Sequence, residues 1–154
     1  MPADPRTRLE ELGLRLPATS PPKGSYTPAV RSGNLVFVAG QVPMADGELS
    51  ARGRVGEDVT PEAGARLSRQ CALAALSAVD DLVGLENVVQ VVKVVGYVAS
   101  AEGFRGQAAV VDGASNLLTA VFGEAGRHAR STVGVADLPL GAPVEIEITV
   151  ECRP

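Results

Sequence analysis

Apolar and polar positions along the chain recur with two different periods, and these periods predict its elements. Val144–Cys152 alternates strictly between apolar residues and acidic or polar ones, which is typical of a strand with one buried face. Residues 88–100 are dominated by β-branched side chains and predict a second strand, in which Gly96 suggests a bulge. Residues 131–136 predict a third strand, joined to the last one through a turn rich in Pro and Gly.

Nearer the N-terminus, residues 29–39 predict a β-hairpin with a turn at Ser32-Gly33-Asn34. The second strand of this hairpin, residues 35–38, is a continuous apolar run, so we expect it to be buried on both faces. Residues 40–60 are polar and rich in Gly, which indicates a loop with room for a short strand.

Helical periodicity predicts one short and two longer helices. Asp4 and Pro5 are suited to the N-cap and first position of a short helix over residues 6–12. Thr60-Pro61-Glu62 opens a second helix in the same way, and Gly84 ends it. Its predicted buried face consists of Leu67, Cys71, Ala74, Ala75, Ala78 and Leu82. Residues 104–122 predict a third helix, broken near Asp112-Gly113.

This order of elements predicts an α+β fold, in which a mixed β-sheet carries two helices on one face. The other face of the sheet is rich in Val and has no helix to cover it, so we expect further copies of the chain to bury it. A length of 154 residues is that of one domain. We divide it into an N-terminal helix and arm, residues 1–20, and the main domain, residues 21–154.

Charge and composition exclude several classes of function. The formal net charge is −4 and the sequence pI is about 5.0, whereas nucleic-acid binding normally requires a basic patch. No apolar run approaches a membrane span, and the N-terminus, with three acidic residues and three Arg among its first 15 residues, does not resemble a signal peptide. We therefore expect a cytoplasmic protein that binds neither nucleic acid nor membrane.

Metal and nucleophile chemistry also lack the residues they need. Cys71 and Cys152 do not form a metal-binding spacing, and the chain has a single His, so we expect no metal site. Ser131 and Thr132 have no neighbouring His and Asp in the sequence, which argues against a nucleophilic triad. No glycine-rich phosphate loop is present.

Arg130 is the strongest candidate for a functional side chain, because it lies at the mouth of a predicted buried strand. Its planar guanidinium is suited to binding a carboxylate through two hydrogen bonds. The alternative is a structural ion pair with a Glu at the sheet edge. Glu145 and Glu147 share one strand face, where they either keep the sheet soluble or, once buried, supply a base.

Several other residues have both a functional and a structural interpretation. Tyr26, in an arm rich in Pro and Gly, either closes a pocket or packs the arm against the domain. Gly40-Gln41 would let a ligand approach the backbone, although a turn is the more common reason for such a Gly. His128 is interpreted as structural, and Gly113-Ala114-Ser115 as a helix irregularity.

Taken in order, these segments resemble the YjgF/Rid family, also labelled endoribonuclease L-PSP. The resemblance covers nearly the whole chain beyond about residue 20. It rests on Gly24-Ser25-Tyr26, Ala39-Gly40-Gln41-Val42-Pro43, Ala129-Arg130-Ser131, residues 133–139 and Val144-Glu145-Ile146-Glu147. The resemblance implies a chorismate-mutase-like fold that forms a trimeric barrel, with three clefts between subunits and no cofactor.

The resemblance also implies roles for single residues. Arg130 would bind the carboxylate of a small 2-imino or 2-keto acid, Glu145 would activate the attacking water, and Tyr26 would close the cleft. Gly40 would provide a backbone contact. Ala39 and Thr132 would also contact the substrate, and both depart from the family pattern, since Ala39 replaces a Ser and Thr132 replaces a Cys.

The first function hypothesis is therefore the hydrolytic deamination of reactive enamines or imines such as 2-aminoacrylate and 2-iminobutanoate. The second is a trimer that binds small carboxylates without turnover, which the changes at Ala39 and Thr132 favour. The third is an endoribonuclease or translation inhibitor, a label carried by some relatives, and the acidic charge argues against it.

Overall fold

One mixed sheet organises the molecule. The computed structural model describes residues 3–154 and contains the strands β1 (Ala29–Ser32), β2 (Leu35–Val38), β3 (Met44–Ala45), β4 (Glu48–Leu49), β5 (Val88–Ala99), β6 (Ala129–Val135) and β7 (Val144–Cys152). Five of these strands form the sheet in the order β1-β2-β7-β5-β6, while β3 and β4 form a separate hairpin. β5 and β6 run parallel, and the other neighbours in the sheet run antiparallel.

Within residues 3–154, three α-helices accompany the sheet: α1 (Pro5–Glu11), α2 (Pro61–Val83) and α3 (Gln107–Phe122). The predicted N-caps are confirmed, since the Asp4 carboxylate accepts from the Thr7 amide at 3.2 Å and the Thr60 hydroxyl accepts from the Ala63 amide at 3.1 Å. α2 ends immediately before Gly84, as expected. α2 and α3 pack together over one face of the sheet, which confirms the predicted α+β layers.

The alternation along β7 places the core between this sheet face and the helices. Val144, Ile146 and Ile148 are buried beneath α2 and α3, whereas Glu145 and Glu147 lie between them on the opposite face. We call this second side of the sheet the open face. Its apolar residues include Val30, which is 50% exposed, so the open face is uncovered within one chain, as predicted.

The strand prediction for residues 35–38 was wrong in one respect. Val36 and Val38 are buried against the helices, but Leu35 remains 37% exposed and Phe37 46% exposed on the open face. The apolar run therefore marks a strand that one chain covers from a single side. The predicted buried face of α2 was also wrong at two positions, since Leu82 in its last turn is exposed and Ala74 is only half-buried.

Two glycines predicted as irregularities instead allow close packing. α3 is continuous through Gly113, where an added Cβ would lie 1.9 Å from the Ala65 carbonyl oxygen of α2. Gly96 does not form a bulge, because the shifts in β5 occur between Val88 and Gln90 and between Val91 and Lys93. An added Cβ at Gly96 would instead collide with a methyl group of Val111 at 2.4 Å.

The N-terminal helix α1 adds Leu9 to the same core. The division of the chain into an N-terminal segment, residues 1–20, and a main domain stays a prediction. Within residues 3–154, no helix combines the length and apolar character needed to cross a membrane.

Replacing Gly113 by Ala tests the close contact between α2 and α3. In an unobstructed helix this change stabilises by about 1 kcal/mol, but here the new methyl group would have to push the Ala65 carbonyl away. We expect the free energy of unfolding, measured by urea denaturation, to fall by about 1–3 kcal/mol. Asn116→Ala, at an exposed position of the same helix, is the matched control and should leave stability nearly unchanged. A gain in stability for Gly113→Ala would contradict this packing.

Candidate functional site

A pocket lies where the N-terminal arm passes the end of β7. Its walls are formed by the arm, by the loop that follows β2 and by the short 3₁₀ turn Pro139–Gly141. Side chains and backbone of Tyr26, Gly40, Gln41, Met44, Leu140 and Glu145 line it. Three residues that the sequence singled out, Tyr26, Gly40 and Glu145, therefore meet in one place.

Gly40 and Glu145 fit together in this pocket. A Cβ at position 40 would lie 2.4 Å from the Glu145 Oε1 atom, so any larger residue would displace the carboxylate. The loop is held against β7 by backbone hydrogen bonds in both directions between Gln41 and Ile146, at 2.8 and 3.0 Å. The role of Gly40 is thus to let the carboxylate approach the backbone rather than to form a turn.

The structure distinguishes the two glutamates that the alternation of β7 left equivalent. Glu147 accepts a hydrogen bond from the Tyr97 hydroxyl on the neighbouring strand β5. Glu145 faces the pocket instead, where burial, and then the nearby charge of Glu147, raise its pKa. A half-buried carboxylate with a raised pKa is the better proton acceptor, so Glu145 is the candidate base.

Tyr26 lines the pocket, whereas Ala39 is next to it in the chain but does not line it. Tyr26 is 51% exposed, and its hydroxyl accepts a hydrogen bond from the Lys23 amide at 3.1 Å, which fixes the ring within the arm. Ala39 precedes Gly40 and acts through its backbone, since its carbonyl accepts from the Gln41 side chain at 3.0 Å. No hydroxyl is available at position 39.

Arg130 lies elsewhere, on β6 beside α3. The prediction that this strand is buried was wrong, because β6 is at the edge of the sheet and none of its residues is fully buried. Its Nη1 donates to the Asp112 carboxylate at 2.7 Å and to the Ser115 hydroxyl at 3.1 Å. The Arg130 side chain is 23% exposed and that of Asp112 is 54% exposed. The ion pair considered from sequence does exist, but its partner is an Asp on a helix rather than a Glu at the sheet edge.

Thr132 lies on the same side of β6 as Arg130 and does not line the pocket. Its Oγ1 is buried without a hydrogen-bond partner among residues 3–154. A hydroxyl in that state loses its hydration without compensation.

One chain cannot bring Arg130 and Glu145 to the same small molecule. In the register of β5, Val94 is opposite Arg130 and Tyr97 is opposite Glu145. The two residues are thus separated by two strand spacings and three residue steps, roughly 10 Å in each direction. They also lie on opposite faces of the sheet, because Arg130 contacts α3 and Glu145 lies on the open face.

Sequence reasoning missed the partners of Arg130. Asp112 and Ser115 are three residues apart and therefore share one face of α3. The Ser115 hydroxyl also contacts His128 Nε2 at 2.9 Å, while His128 Nδ1 donates to the Gly126 carbonyl at 2.7 Å. A polar pair at helical spacing was the available signal, but the predicted break at Asp112-Gly113 concealed it. In the described part of the chain, no group of three or more His, Cys, Asp or Glu side chains could hold a metal ion.

Comparison with known proteins places this chain in a family. The family profile described as endoribonuclease L-PSP matches residues 17–152. The chain belongs to the endoribonuclease L-PSP family. Among its relatives in this family, Protein TCP17 of Trypanosoma cruzi is 42% identical over 145 residues, which cover 93% of this chain and 91% of the relative. The 2-iminobutanoate/2-iminopropanoate deaminase of Dermatophagoides farinae is 34% identical over 137 residues, covering 89% and 93%.

Solved structures of similar proteins share the fold. The Agrobacterium tumefaciens protein Atu1372, whose function is unknown, superimposes with a TM-score of 0.88 at 42% identity, covering 96% of this chain and 91% of that one. A Shewanella oneidensis protein superimposes with a TM-score of 0.94 at 30% identity, covering 97% of this chain and 99% of that one. The YjgF gene product of E. coli superimposes with a TM-score of 0.64 at 28% identity, covering 88% of this chain and 94% of that one. The predicted YjgF/L-PSP fold is confirmed.

The hydrogen bond between Tyr97 and Glu147 predicts an unusual titration. This bond, with burial and the charges of both glutamates, raises the pKa of Tyr97 to about 12 from an ordinary value of 10.0. The resulting stabilisation is complete below pH 10 and is lost as the pH rises through about 12. In Glu147→Gln we expect the pKa of Tyr97 to fall toward 10, because the charge is removed.

Absorbance at 295 nm measures this titration, and a Tyr26→Phe background removes the only other phenol of the chain. Glu151→Gln, farther along the same strand, is the matched control and should leave the pKa of Tyr97 raised. An unchanged titration in Glu147→Gln would show that the hydroxyl has another partner.

Proposed function

We propose that this protein hydrolyses small reactive 2-imino acids, and the enamines from which they form, to 2-keto acids and ammonia in the cytoplasm. The observation that carries the proposal is the Glu145 carboxylate, half-buried against Gly40 with a raised pKa. The 34% identity to a protein named as an iminobutanoate deaminase supports the substrate class.

The chemistry requires only a base and an anchor. The enamine first takes a proton at C3 and becomes an iminium ion, whose C2 carbon is electrophilic. A water oxygen then bonds to C2 while Glu145 accepts the water proton. That proton passes to the nitrogen of the tetrahedral adduct, and the C–N bond breaks to release ammonia. As the carbonyl of the 2-keto acid forms, the hydroxyl proton of the adduct passes to Glu145 and then to solvent, which balances the proton taken up at C3. Because the iminium carbon is already electrophilic, holding the reactants in place supplies much of the acceleration.

Arg130 is the proposed anchor for the substrate carboxylate, and it must come from a second chain. Arg130 and Glu145 lie on opposite faces of one sheet, so a shared substrate requires one residue from each of two neighbours. We propose a homotrimer in which the open faces turn inward and cover Val30, Leu35 and Phe37, which one chain leaves exposed. Each of the three clefts between neighbours would then contain one Arg130 and one Glu145.

A second candidate is a trimer that binds small carboxylates without turnover. It is favoured by the absence of a hydroxyl at Ala39 and by Thr132, whose hydroxyl replaces the thiol of many relatives and has no partner within residues 3–154. The endoribonuclease description of the family is less well supported, since the chain carries a net charge of −4.

Ammonia release from freshly generated 2-iminobutanoate tests the proposal. Arg130→Ala should lower kcat/KM by about 100-fold or more, because the substrate carboxylate loses a charged pair of hydrogen bonds. Glu145→Gln should lower kcat by about 100-fold or more, because the base is removed. Glu151→Gln on the same strand is the matched control and should remain active. Wild-type protein that binds 2-oxobutanoate but does not release ammonia would select the non-catalytic candidate instead.

Mixing the two inactive variants tests whether the site is shared. In a ring assembled from equal amounts of Arg130→Ala and Glu145→Gln chains, about one cleft in four would contain both intact residues. We therefore expect co-expressed or refolded mixtures to recover about a quarter of wild-type activity. Each variant alone stays inactive, and so does a mixture of two different substitutions at Arg130. Failure of the mixture to recover, when light scattering shows that mixed trimers have formed, would overturn the shared site.

A further inference from the structure

Four side chains, those of Asp112, Ser115, His128 and Arg130, form a continuous hydrogen-bonded network, of which the proposed reaction uses only Arg130 directly. His128 Nδ1 donates to the Gly126 carbonyl at 2.7 Å, which makes Nε2 the acceptor of the neutral ring. The Ser115 hydroxyl lies 2.9 Å from Nε2 and donates to it. A lone pair of the same hydroxyl accepts from Arg130 Nη1 at 3.1 Å, and Asp112 accepts from this nitrogen at 2.7 Å.

This direction of hydrogen bonding fixes the Ser115 hydroxyl. Its single proton goes to His128, so a lone pair is left facing the guanidinium. Both Nη1 hydrogens of Arg130 are thus occupied, and one Nη2 hydrogen makes a longer contact, 3.4 Å, with the Ala108 carbonyl. A guanidinium carries five N–H groups, so two remain without a partner among residues 3–154. Two N–H groups are what a carboxylate needs for a bidentate contact.

We propose that Ser115 and His128 are positioning residues, which hold the guanidinium of Arg130 so that its two remaining N–H groups can bind a single carboxylate. This inference rests on the proposed function, because it assigns the support of the same anchor. His128 sets the direction of the Ser115 hydroxyl, and Ser115 with Asp112 sets the rotation of the guanidinium. Without these partners, the arginine side chain would lose the rotational freedom of several bonds each time a ligand binds, and this loss of entropy would weaken binding.

Asp112 gives the same network a preference among anions. Its negative charge offsets that of Arg130, so the pair is neutral before the ligand arrives. A monocarboxylate adds one negative charge, whereas a dicarboxylate adds two and is repelled by both Asp112 and Glu145. The network therefore predicts small 2-keto or 2-imino acids with uncharged side chains as ligands.

The experiment measures the Kd of 2-oxobutanoate by calorimetry and KM and kcat for 2-iminobutanoate in the full-length protein. Ser115→Ala should raise Kd and KM about three- to tenfold and leave kcat within about twofold, since a bond to a bound anchor is lost in ground and transition states alike. Ser115→Thr keeps the hydroxyl and should restore most of the affinity. 2-Oxobutanamide, which has no carboxylate, should bind equally weakly to all variants.

Two substitutions at position 128 distinguish the roles of the two ring nitrogens of His128. His128→Gln keeps an acceptor near the position of Nε2, whereas His128→Asn keeps a donor near Nδ1 and loses the acceptor for Ser115. We expect the Asn variant to raise Kd as Ser115→Ala does and the Gln variant to raise it less. Asp112→Asn keeps an acceptor oxygen but removes the charge, so the affinity for 2-oxoglutarate should rise relative to 2-oxobutanoate by about threefold or more.

The outcomes distinguish this inference from the proposed function. If Arg130→Ala abolishes binding but Ser115→Ala and His128→Asn bind as wild type, the positioning role is wrong and the deaminase proposal stands. If these variants lose only thermal stability, with Kd and KM unchanged, the network is structural and the inference is overturned. If Arg130→Ala itself binds and reacts normally, both proposals fail.

Discussion

The two-residue alternation of β7, at the centre of the sheet, is the constraint on which the rest of the structure depends. Val144, Ile146 and Ile148 must pack beneath α2 and α3, so the residues between them have to lie on the open face. A shift of one position would bury Glu145 and Glu147 beneath the helices and expose the apolar residues. The hydrophobic core thereby determines where a carboxylate is available for chemistry.

The two charged groups of the proposed site, Glu145 and Arg130, have different surroundings. Glu145 lies against Gly40 and the charge of Glu147, and its pKa rises because neither neighbour compensates its burial. Arg130 is instead held by Asp112 and Ser115, which neutralise and orient it. One group is thus suited to accept a proton and the other to bind an anion.

Some of the site could be predicted from residues alone. Arg130 was identified because it adjoins a strand that was predicted to be buried, where a guanidinium needs an anionic partner. Glu145 was identified because the alternation placed it on the face away from the core. The sequence could not separate Glu145 from Glu147, since the distinction depends on Tyr97 from another strand and on Gly40 from a loop. It also offered Ala39, Gly40, Tyr26, Arg130 and Thr132 as one set, whereas one chain divides them between the pocket and the edge strand.

The sequence by itself determined the elements whose signals are local: the capped starts of α1 and α2, the end of α2 at Gly84, and the alternating strand β7. Those features depend on residues close together in the chain. Only the tertiary structure decided the roles of Gly96 and Gly113. Each permits close contact with a distant element, whereas the sequence suggested a local irregularity. The tertiary structure alone revealed the bonds from Ser115 to His128 and Arg130, since hydrogen bonds across a helix and a strand leave no periodic pattern in the sequence.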